Sequence, residues 1–350
     1  MKGPSYIMLR FESDYLEGAH PSILKKLNET NFEQTPGYGL DPHCEAAAAL
    51  IKKECGGNVN VHFLVGGTQA NTTVIASILR AHQGVLSSDA GHIAAHESGA
   101  IEATGHKVLT LPHKNGKITG CQISDYCTAH YADPSFEHTV QPGMVYISNS
   151  TEYGTVYTKS ELAEISAACR ENGLYLFMDG ARLGYALSSP GSDLTLKDIA
   201  ELCDVFYIGG TKVGALFGEA VVISNPAVHK DFRYHIKQHG GMLAKGRLLG
   251  IQFEALFESG IYWEISKRAV DMAQKLKKAF KDKGYCFYCD SPSNQQFVIM
   301  PDEHLKVLSE KYTFNVMEKA GNGMTTARFC TSWATSEEAI EALIQDIVQL

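Results

Sequence analysis

The feature that most constrains the fold of this chain is a regular alternation of short apolar runs with segments of helical periodicity. Seven runs are rich in β-branched or aromatic side chains, and they cover residues 61–65, 84–86, 107–111, 144–148, 174–178, 205–208 and 219–223. Helical patterns lie between them, for example at 71–81, 159–172 and 195–202. Buried strands that alternate with helices predict an α/β fold with a mostly parallel, seven-stranded sheet.

The pattern changes after about residue 225. A long helical stretch, 231–283, is broken near Gly240 and near Gly260. Further strand-like and helical segments follow at 286–288, 297–300, 303–311 and 336–349. We therefore expect a large domain over residues 12–250 and a smaller C-terminal α/β domain over 251–350, to which residues 1–11 return.

Composition and charge exclude several classes of protein. The chain has 31 basic and 39 acidic residues, a net charge of −8, and no basic cluster interleaved with aromatic residues, which argues against nucleic acid as a partner. No apolar run has the length of a membrane span, and residues 1–10 lack the pattern of a signal peptide. The nine cysteines are mostly isolated in sequence, which is typical of reduced thiols. We expect a cytoplasmic protein without a membrane partner.

A glycine-rich turn lies between the first run and the next helical pattern. It reads Val-Gly-Gly-Thr-Gln-Ala-Asn, with Gly66, Gly67 and Thr68 at its centre. Glycines let the backbone approach an anion, and the N–H groups at a new helix N-terminus favour a phosphate. Plain helix capping is the alternative interpretation of this turn.

An acid and a base follow another buried run. Asp179 and Arg182 come directly after the apolar segment 174–178. Ligands of open α/β sheets bind beside the carboxyl ends of strands, so both side chains are candidates for a binding site. An Asp179–Arg182 ion pair at a turn is the alternative.

A lysine among glycines follows the run 205–208. Lys212 stands in the segment Gly-Gly-Thr-Lys-Val-Gly, with apolar residues close behind. A partly desolvated lysine has a lowered pKa and is suited to form a Schiff base, whereas a lysine on a surface loop is the alternative. A phosphate turn, a strand-end aspartate and a strand-end lysine follow one another in the order that a pyridoxal 5'-phosphate site needs. Thr211 is placed to donate a further hydrogen bond to the phosphate.

These motifs, together with the segment 11–21, resemble a known family. The Gly-Gly-Thr-Gln-Ala-Asn turn, Asp-Gly-Ala-Arg at 179–182 and Gly-Gly-Thr-Lys at 209–212 are similar to those of the low-specificity L-threonine aldolases. These enzymes belong to the β-eliminating lyase group of fold-type-I pyridoxal-phosphate enzymes. The resemblance extends over about residues 10–345 and implies the aspartate-aminotransferase fold.

The resemblance also implies roles for single residues. Lys212 corresponds to the Schiff-base lysine and Asp179 to the partner of the pyridine nitrogen. Arg182 and Arg328 resemble the two arginines that bind the substrate carboxylate, and Ser13 resembles a serine that contacts the same carboxylate.

His92 resembles a histidine whose ring stacks on the cofactor, and we expect it to be a catalytic residue. A zinc site with His96, four residues on, lacks an evident third ligand, and a core or surface histidine is a further alternative. The chain departs from the bacterial aldolases at 149–154, where a histidine thought to contact the substrate hydroxyl is missing. Glu152 or His96 is then a candidate for the proton transfer.

The expected reaction is the cleavage of threonine or allo-threonine to glycine and an aldehyde. β-Elimination or transamination on the same scaffold is the nearest alternative, and a non-catalytic binding protein is a more distant one. The resemblance implies a homodimer or homotetramer. The basic segment 233–247, with Lys237 and Lys245, is either a contribution to the neighbouring cofactor site or a solvated helix face.

Overall fold

The strands of the protein form three sheets. We describe a computed structural model in which residues 8–350 are defined. Its strands are β1 (Leu9–Arg10), β2 (Asn60–Leu64), β3 (Gln83–Ser88), β4 (Val108–Leu111), β5 (Gln141–Ser148), β6 (Tyr175–Asp179), β7 (Val205–Gly209), β8 (Glu219–Ile223), β9 (Cys286–Phe287), β10 (Gln295–Pro301), β11 (Tyr312–Thr313), β12 (Asn315–Gly321) and β13 (Met324–Cys330).

The largest sheet has seven strands in the order β2-β8-β7-β6-β5-β3-β4. Strands β7, β6, β5, β3 and β4 run parallel to one another, and β8 is antiparallel to both of its neighbours. Each of the seven predicted runs overlaps one of these strands. The predicted mostly parallel, seven-stranded sheet is therefore confirmed.

Side chains of the large sheet alternate between two apolar cores, which explains why its strands read as almost continuous apolar runs. In β5, Met144 and Tyr146 belong to one buried cluster, whereas Val145 and Ile147 belong to the other. Helices cover both faces, because a parallel sheet is buried on both sides.

The helices are α1 (Pro21–Glu29), α2 (Pro42–Glu54), α3 (Gly67–Ile78), α4 (His92–Ala95), α5 (Ala100–Ala103), α6 (Gly120–Ala132), α7 (Lys159–Glu171), α8 (Leu183–Leu187), α9 (Leu196–Leu202), α10 (Pro226–His229), α11 (Phe232–Gln238), α12 (Arg247–Glu258), α13 (Ile261–Asp282), α14 (Asp302–Leu308) and α15 (Glu337–Gln349). A short 3₁₀ turn covers Phe136–His138. The predicted breaks near Gly240 and Gly260 are confirmed, since both residues have a positive φ and stand between helices. At α7, Thr158 and Glu161 form a capping box that defines the start of the helix.

The C-terminal part contains a four-stranded antiparallel sheet in the order β12-β13-β10-β9. The sequence analysis predicted β9 and β10 but neither β12 nor β13. All residues of β12 are exposed, so that strand carries no apolar periodicity, and β13 contains two threonines and Arg328 among its apolar residues. The short strand β1 pairs with β11 beside this part.

Helix α13 connects the two parts of the molecule. Tyr262 and Ala269, near its start, belong to the core of the large sheet, whereas Leu276 and Phe280 belong to the C-terminal core. The predicted division at residue 250 stays a prediction, and residues 1–7 of the predicted small domain lie outside the described residues. From the distribution of buried side chains we propose a boundary within α13. No helix among residues 8–350 combines the length and apolarity that a membrane span requires.

Gly250 provides a test of the close contact between α2 and α12. A β-carbon at this position would lie 2.5 Å from the backbone nitrogen of Cys44 in α2. Alanine in place of a helical glycine ordinarily stabilises by about 0.5–1 kcal/mol. We expect Gly250→Ala instead to lower the free energy of unfolding in urea by about 1–3 kcal/mol, because the backbone of α2 must shift.

Gly18→Ala is the matched control, since a β-carbon there meets no atom within 4 Å and the residue is exposed. We expect its free energy of unfolding to stay within about 0.5 kcal/mol of the wild type. A Gly250→Ala protein as stable as the wild type would mean that the two helices are not held in close contact.

Candidate active site

A cavity of about 330 Å³ lies where β6 and β7 end, at the carboxyl edge of the large sheet. A wider opening of about 910 Å³ shares several of its lining residues, among them His92, Glu152, Arg182 and Lys212. Most of the predicted site residues line the first cavity: Gly66, Gly67, Thr68, His92, Asp179, Arg182, Thr211 and Lys212. Arg328 lines only the wider opening.

The glycine-rich turn forms the start of α3. Gly66 is the N-cap in an extended conformation, and no side chain caps the N–H groups at this end of the helix. Gln69 secures the turn, because it accepts a hydrogen bond from the Val65 N–H (3.1 Å) and donates one to the His239 carbonyl (3.0 Å). The free N–H groups and the helix dipole make this end of the cavity suitable for an anion.

Asp179 stands at the end of β6 and is buried. Its Oδ2 accepts hydrogen bonds from the Tyr146 hydroxyl (2.5 Å) and from the Asn71 amide (3.3 Å), and its Oδ1 accepts one from the Ala181 N–H (3.0 Å). Burial and the nearby Asp179 raise the pKa of Tyr146 well above its usual value, so the phenol remains a donor. Among residues 8–350, no cation lies within ion-pair distance of this carboxylate, which suits it to a cationic ligand.

Lys212 lies in the turn after β7. Within the described part of the chain, its amine forms neither an ion pair nor a hydrogen bond with another side chain, while its carbonyl accepts a hydrogen bond from Tyr185 (2.5 Å). Burial and the nearby Arg182 lower the pKa of Lys212. A larger fraction of unprotonated amine makes this lysine a stronger nucleophile.

The Thr211 hydroxyl is engaged in two hydrogen bonds within the protein. The hydroxyl donates to Glu219 (2.9 Å) and accepts from the Gly218 N–H (3.0 Å). Glu219, at the start of β8, also lines the cavity, and burial raises its pKa to about 8. The predicted contact of Thr211 with a phosphate stays a prediction.

Arg182 is paired with Asp14. Its Nε and Nη2 donate to the two oxygens of the Asp14 carboxylate, at 2.6 and 2.9 Å, and the Asn294 amide donates to the same carboxylate (2.9 Å). The alternative of an Asp179–Arg182 ion pair is therefore not what the structure contains. Burial opposes ionisation of Asp14, but the Arg182 charge prevails and lowers the pKa of Asp14 to about 2. The Arg182 Nη1 group remains for a ligand.

Arg328 and Ser13 lie at the junction with the C-terminal part. Arg328 donates to the Gln295 side chain (3.3 Å) and to the Glu12 carbonyl (3.1 Å), and its Nε is buried without a partner within residues 8–350. The Ser13 hydroxyl is also buried without a hydrogen-bond partner there. Unsatisfied buried donors are rare, so both groups are suited to a ligand that accepts hydrogen bonds.

His92 is the first residue of α4 and is held at two points. Its Nδ1 lies 2.7 Å from Glu97, and its backbone N–H donates to Glu152 (2.9 Å). The hydrogen bond with Glu97 is the main cause of the raised pKa of His92. Within residues 8–350 there is no group of three or more His, Cys, Asp or Glu side chains suited to a metal ion.

Glu152 and His96 complete the wall of the wider opening. Glu152 accepts a hydrogen bond from the Ser148 hydroxyl (2.7 Å), and burial raises its pKa. Burial and the neighbouring His92 lower the pKa of His96. Both residues named as alternatives for proton transfer therefore lie in the site.

The sequence analysis missed several residues that line the cavity or form hydrogen bonds with its lining residues. They are Asn71, Glu97, Tyr146 and Glu219. Asn71 belongs to the recognised turn, and Glu219 begins a predicted strand, so their positions gave a usable signal. Glu97 and Tyr146 had no such signal, because their contacts with His92 and Asp179 depend on tertiary structure.

Comparison with known proteins assigns these features to one family. The family model described as beta-eliminating lyase matches residues 11–303. The low specificity L-threonine aldolase of a Pseudomonas species is 32% identical over 348 residues, covering 97% of this chain and 96% of that protein. The structure of Leishmania major threonine aldolase superimposes with a TM-score of 0.94 at 45% identity, covering 97% of this chain and 99% of the other.

A more distant structure places the fold in a wider class. Aspartate aminotransferase from Thermus thermophilus superimposes with a TM-score of 0.71 at 14% identity, over 99% of this chain and 92% of that one. This likeness concerns the fold alone, and it confirms the predicted aspartate-aminotransferase-like architecture.

The Asp14–Arg182 pair makes a prediction about stability. We expect Asp14→Asn to lower the free energy of unfolding at pH 7 by about 3–5 kcal/mol, because the substitution leaves a buried guanidinium without its counter-charge. The pKa of Asp14 is about 2 in the folded protein, below its value of about 3.9 in an unfolded chain. Its contribution is therefore complete above about pH 4 and is lost as the pH falls toward 2.

The measurement is urea unfolding of both proteins between pH 7 and pH 3, where the difference in stability should begin to narrow below about pH 4. Asp125→Asn, at an exposed aspartate, is the control and should leave stability within about 0.5 kcal/mol. Equal stabilities of Asp14→Asn and the wild type at pH 7 would show that the pair is dispensable.

Proposed function

This chain belongs to the β-eliminating lyase family, and we propose that it is a pyridoxal-phosphate-dependent lyase that cleaves threonine or allo-threonine to glycine and an aldehyde. The observation that carries the proposal is the buried amine of Lys212, which lines one cavity together with Asp179. A lysine with a lowered pKa is suited to bind an aldehyde covalently. The similarity to proteins named threonine aldolases over nearly the whole chain supports this reaction.

The residues of the cavity fit pyridoxal phosphate at each of its polar positions. The uncapped N-terminus of α3, with Gly66 and Gly67, would hold the phosphate. Asp179, which within residues 8–350 has hydrogen-bond donors but no ion-pair partner, would hold the protonated pyridine nitrogen. Lys212 would bind the aldehyde carbon, and the ring of His92 would cover one face of the cofactor.

Three donors are available for the carboxylate of an amino acid. Within residues 8–350, the Nη1 of Arg182 forms no hydrogen bond, and the Nε of Arg328 and the hydroxyl of Ser13 are buried without a partner, although Ser13 lines neither opening. Charge-assisted hydrogen bonds of this kind both bind and orient a carboxylate. We assign the substrate carboxylate to this group of residues.

The orientation of the carboxylate controls which bond breaks. Bound pyridoxal phosphate supplies the electron sink for that bond. Arg182 and Arg328 would bind the substrate carboxylate and so fix the orientation of the substrate, which is an orientation effect. Asp179 would accept a hydrogen bond from the protonated pyridine nitrogen and so support the capacity of the ring to accept electrons.

A product assay with Lys212→Ala tests the function. We expect the wild type with pyridoxal phosphate to develop a visible absorbance band and to convert threonine or allo-threonine to glycine and acetaldehyde. The variant should lose the band and at least about a thousandfold in rate, equivalent to roughly 4 kcal/mol of barrier. Lys230→Ala, at an exposed lysine, should behave as the wild type.

The products separate the proposed reaction from its alternatives. β-Elimination from serine or cysteine would yield pyruvate, and transamination would require an added oxo acid. A protein that binds the cofactor but converts none of threonine, allo-threonine, serine and cysteine would favour a binding module and contradict the proposed function.

We also propose a homodimer or homotetramer in which a second subunit completes the cofactor site. Large apolar side chains are exposed at Tyr38 (47%), Leu40 (66%) and Tyr234 (77%), and Tyr38 shares one surface depression with Leu40 and another with Tyr234. Isolated exposed apolar residues are common, but several at one surface indicate an interface.

Charge at the phosphate end of the cavity supports the same proposal. Within residues 8–350, the only basic side chains that line the cavity besides His92 are Arg182, already paired with Asp14, and Lys212. A phosphate bound in this cavity needs additional positive charge, because Arg182 is engaged by Asp14, and the basic segment 233–247 of a partner subunit is a suitable source.

Lys245 is an exposed member of that segment. We expect light scattering to detect at least a dimer. Lys245→Ala should weaken pyridoxal-phosphate binding by about tenfold to a hundredfold, because it removes one charge-assisted contact worth about 1.5–3 kcal/mol. Lys306→Ala, at an exposed lysine in α14, is the control and should bind the cofactor normally. A fully active monomer would contradict the shared site. If the protein is a dimer and Lys245→Ala binds pyridoxal phosphate as tightly as the wild type, only the role of Lys245 is contradicted.

A cytoplasmic location is part of the proposal. All nine cysteines are free in the structure, including Cys121 and Cys286, which are exposed. Free, exposed thiols are typical of proteins in a reducing compartment.

A further inference from the structure

We propose that Glu97 is a positioning residue for His92, and that it leaves the Nε2 atom of His92 as the group that accepts the proton of the substrate's β-hydroxyl. The inference rests on the proposed function and names the base that the reaction needs. It concerns a position that the sequence left open, because the segment 149–154 contains no histidine.

The Glu97 carboxylate contacts the ring of His92 directly. Its Oε1 lies 2.7 Å from the His92 Nδ1 and accepts a hydrogen bond from the Asn71 amide (2.6 Å). The Glu97 side chain is fully buried, whereas 40% of the His92 side chain is accessible. A carboxylate on Nδ1 selects the tautomer that carries its hydrogen there, so Nε2 is the only ring nitrogen left to accept a proton.

The same network reaches the cofactor end of the cavity. The Asn71 amide donates both to Glu97 and to Asp179 (3.3 Å), and so bridges two buried carboxylates. Asp179 is the proposed partner of the pyridine nitrogen. The ring of His92 is therefore oriented by the network that also orients the cofactor.

The backbone of His92 is held as well as its ring. Its N–H donates to Glu152, which in turn accepts from the Ser148 hydroxyl. This contact ties α4 to the loop that follows β5. One oxygen of Glu152 is thus engaged by two donors, and Glu152 supports the position of His92.

The charged groups that face His92 determine the sign of its pH dependence. Glu97 and Asp179 raise the pKa of His92, while burial and Lys212 lower it, and the contact with Glu97 is the largest cause. Glu152, which accepts from the His92 backbone, and His96, whose ring centre is 5.8 Å away, are further titratable groups beside His92. Burial raises the pKa of Glu152 and lowers that of His96. Removing the Glu97 charge must therefore lower the pKa of His92.

The proposed step conserves protons and electrons. Nε2 takes the proton of the β-hydroxyl, and the O–H electron pair forms the carbonyl of the aldehyde as the Cα–Cβ bond breaks. The electron pair of that bond remains on the Cα side, where the cofactor ring delocalises it. A proton then returns to Cα and yields glycine, so no oxidant or reductant is needed.

Glu97→Gln tests the proposal through the pH profile. The glutamine is nearly isosteric but cannot stabilise the imidazolium. We expect kcat to fall about tenfold or more, at the low end of a general-base contribution, and the acidic limb of the profile to move to lower pH. Glu102→Gln, an exposed glutamate in the neighbouring α5, is the matched control and should leave kcat and the profile unchanged.

A second pair of variants distinguishes positioning from general stability. In a His92→Gln background, Glu97→Gln should cause no further loss of kcat, because the carboxylate acts through His92. The proposal would be overturned if Glu97→Gln lowered the melting temperature but left the pH profile of kcat unmoved. It would also be overturned if Glu97→Gln reduced kcat equally in the wild-type and His92→Gln backgrounds.

Histidine NMR provides a readout that does not depend on activity. The His92 signals of the cofactor-free protein are assigned by their absence from His92→Gln. In the wild type they should show hydrogen on Nδ1. In Glu97→Gln the pKa of His92 should be lower than in the wild type. An unchanged His92 titration would overturn the positioning role. If the wild type cleaves no β-hydroxy amino acid, the proposed function is contradicted, and so is the assignment of His92 as the base. The NMR titration of His92 still decides whether Glu97 positions it.

Discussion

The buried ion pair between Asp14 and Arg182 is the interaction on which the rest of the site depends. It joins the N-terminal segment to the loop after β6, and Asn294 adds the C-terminal part through a hydrogen bond to the same carboxylate. Neither charge is stable in this position without the other, because the desolvation of each must be offset by its partner. The position of Arg182 toward a substrate therefore follows from the packing of three distant segments.

The site as a whole holds more buried acid than base. Its carboxyl groups are Asp14, Glu97, Glu152, Asp179 and Glu219, and its strong bases are Arg182, Lys212 and Arg328. Backbone and side-chain donors satisfy most of the carboxylate oxygens, but they do not supply positive charge. Burial raises the pKa of Glu152 and of Glu219, so these two groups add less negative charge than their number suggests. A cation at Asp179 and basic side chains near a bound phosphate would add positive charge, as a protonated pyridine ring and a second subunit would do. Charge balance thus connects the proposed cofactor with the proposed assembly.

The sequence predicted those parts of the fold and site that depend on local order along the chain. Asp179 and Lys212 were recognisable because each follows a buried strand, and parallel strands bring their carboxyl ends to one edge. Asp14 lay within a recognised motif, yet its partner is 168 positions away, and no pattern of spacing indicates such a contact. Strand β12 escaped prediction for a different reason: its side chains are exposed throughout, so pairing with β13, and not burial, defines it.

The missing histidine of the segment 149–154 has a structural counterpart. Glu152 occupies this segment and accepts a hydrogen bond from the backbone of His92, while Glu97 holds the ring of the same residue. Glu152 restricts the position of the His92 backbone, whereas the buried Glu97 restricts the orientation and protonation of its ring. A chain without the second histidine then retains one imidazole that is immobilised, basic and accessible from the substrate side. The departure from the aldolase pattern and the Glu97–His92 pair are consequently two aspects of a single arrangement, in which acidic residues support one base.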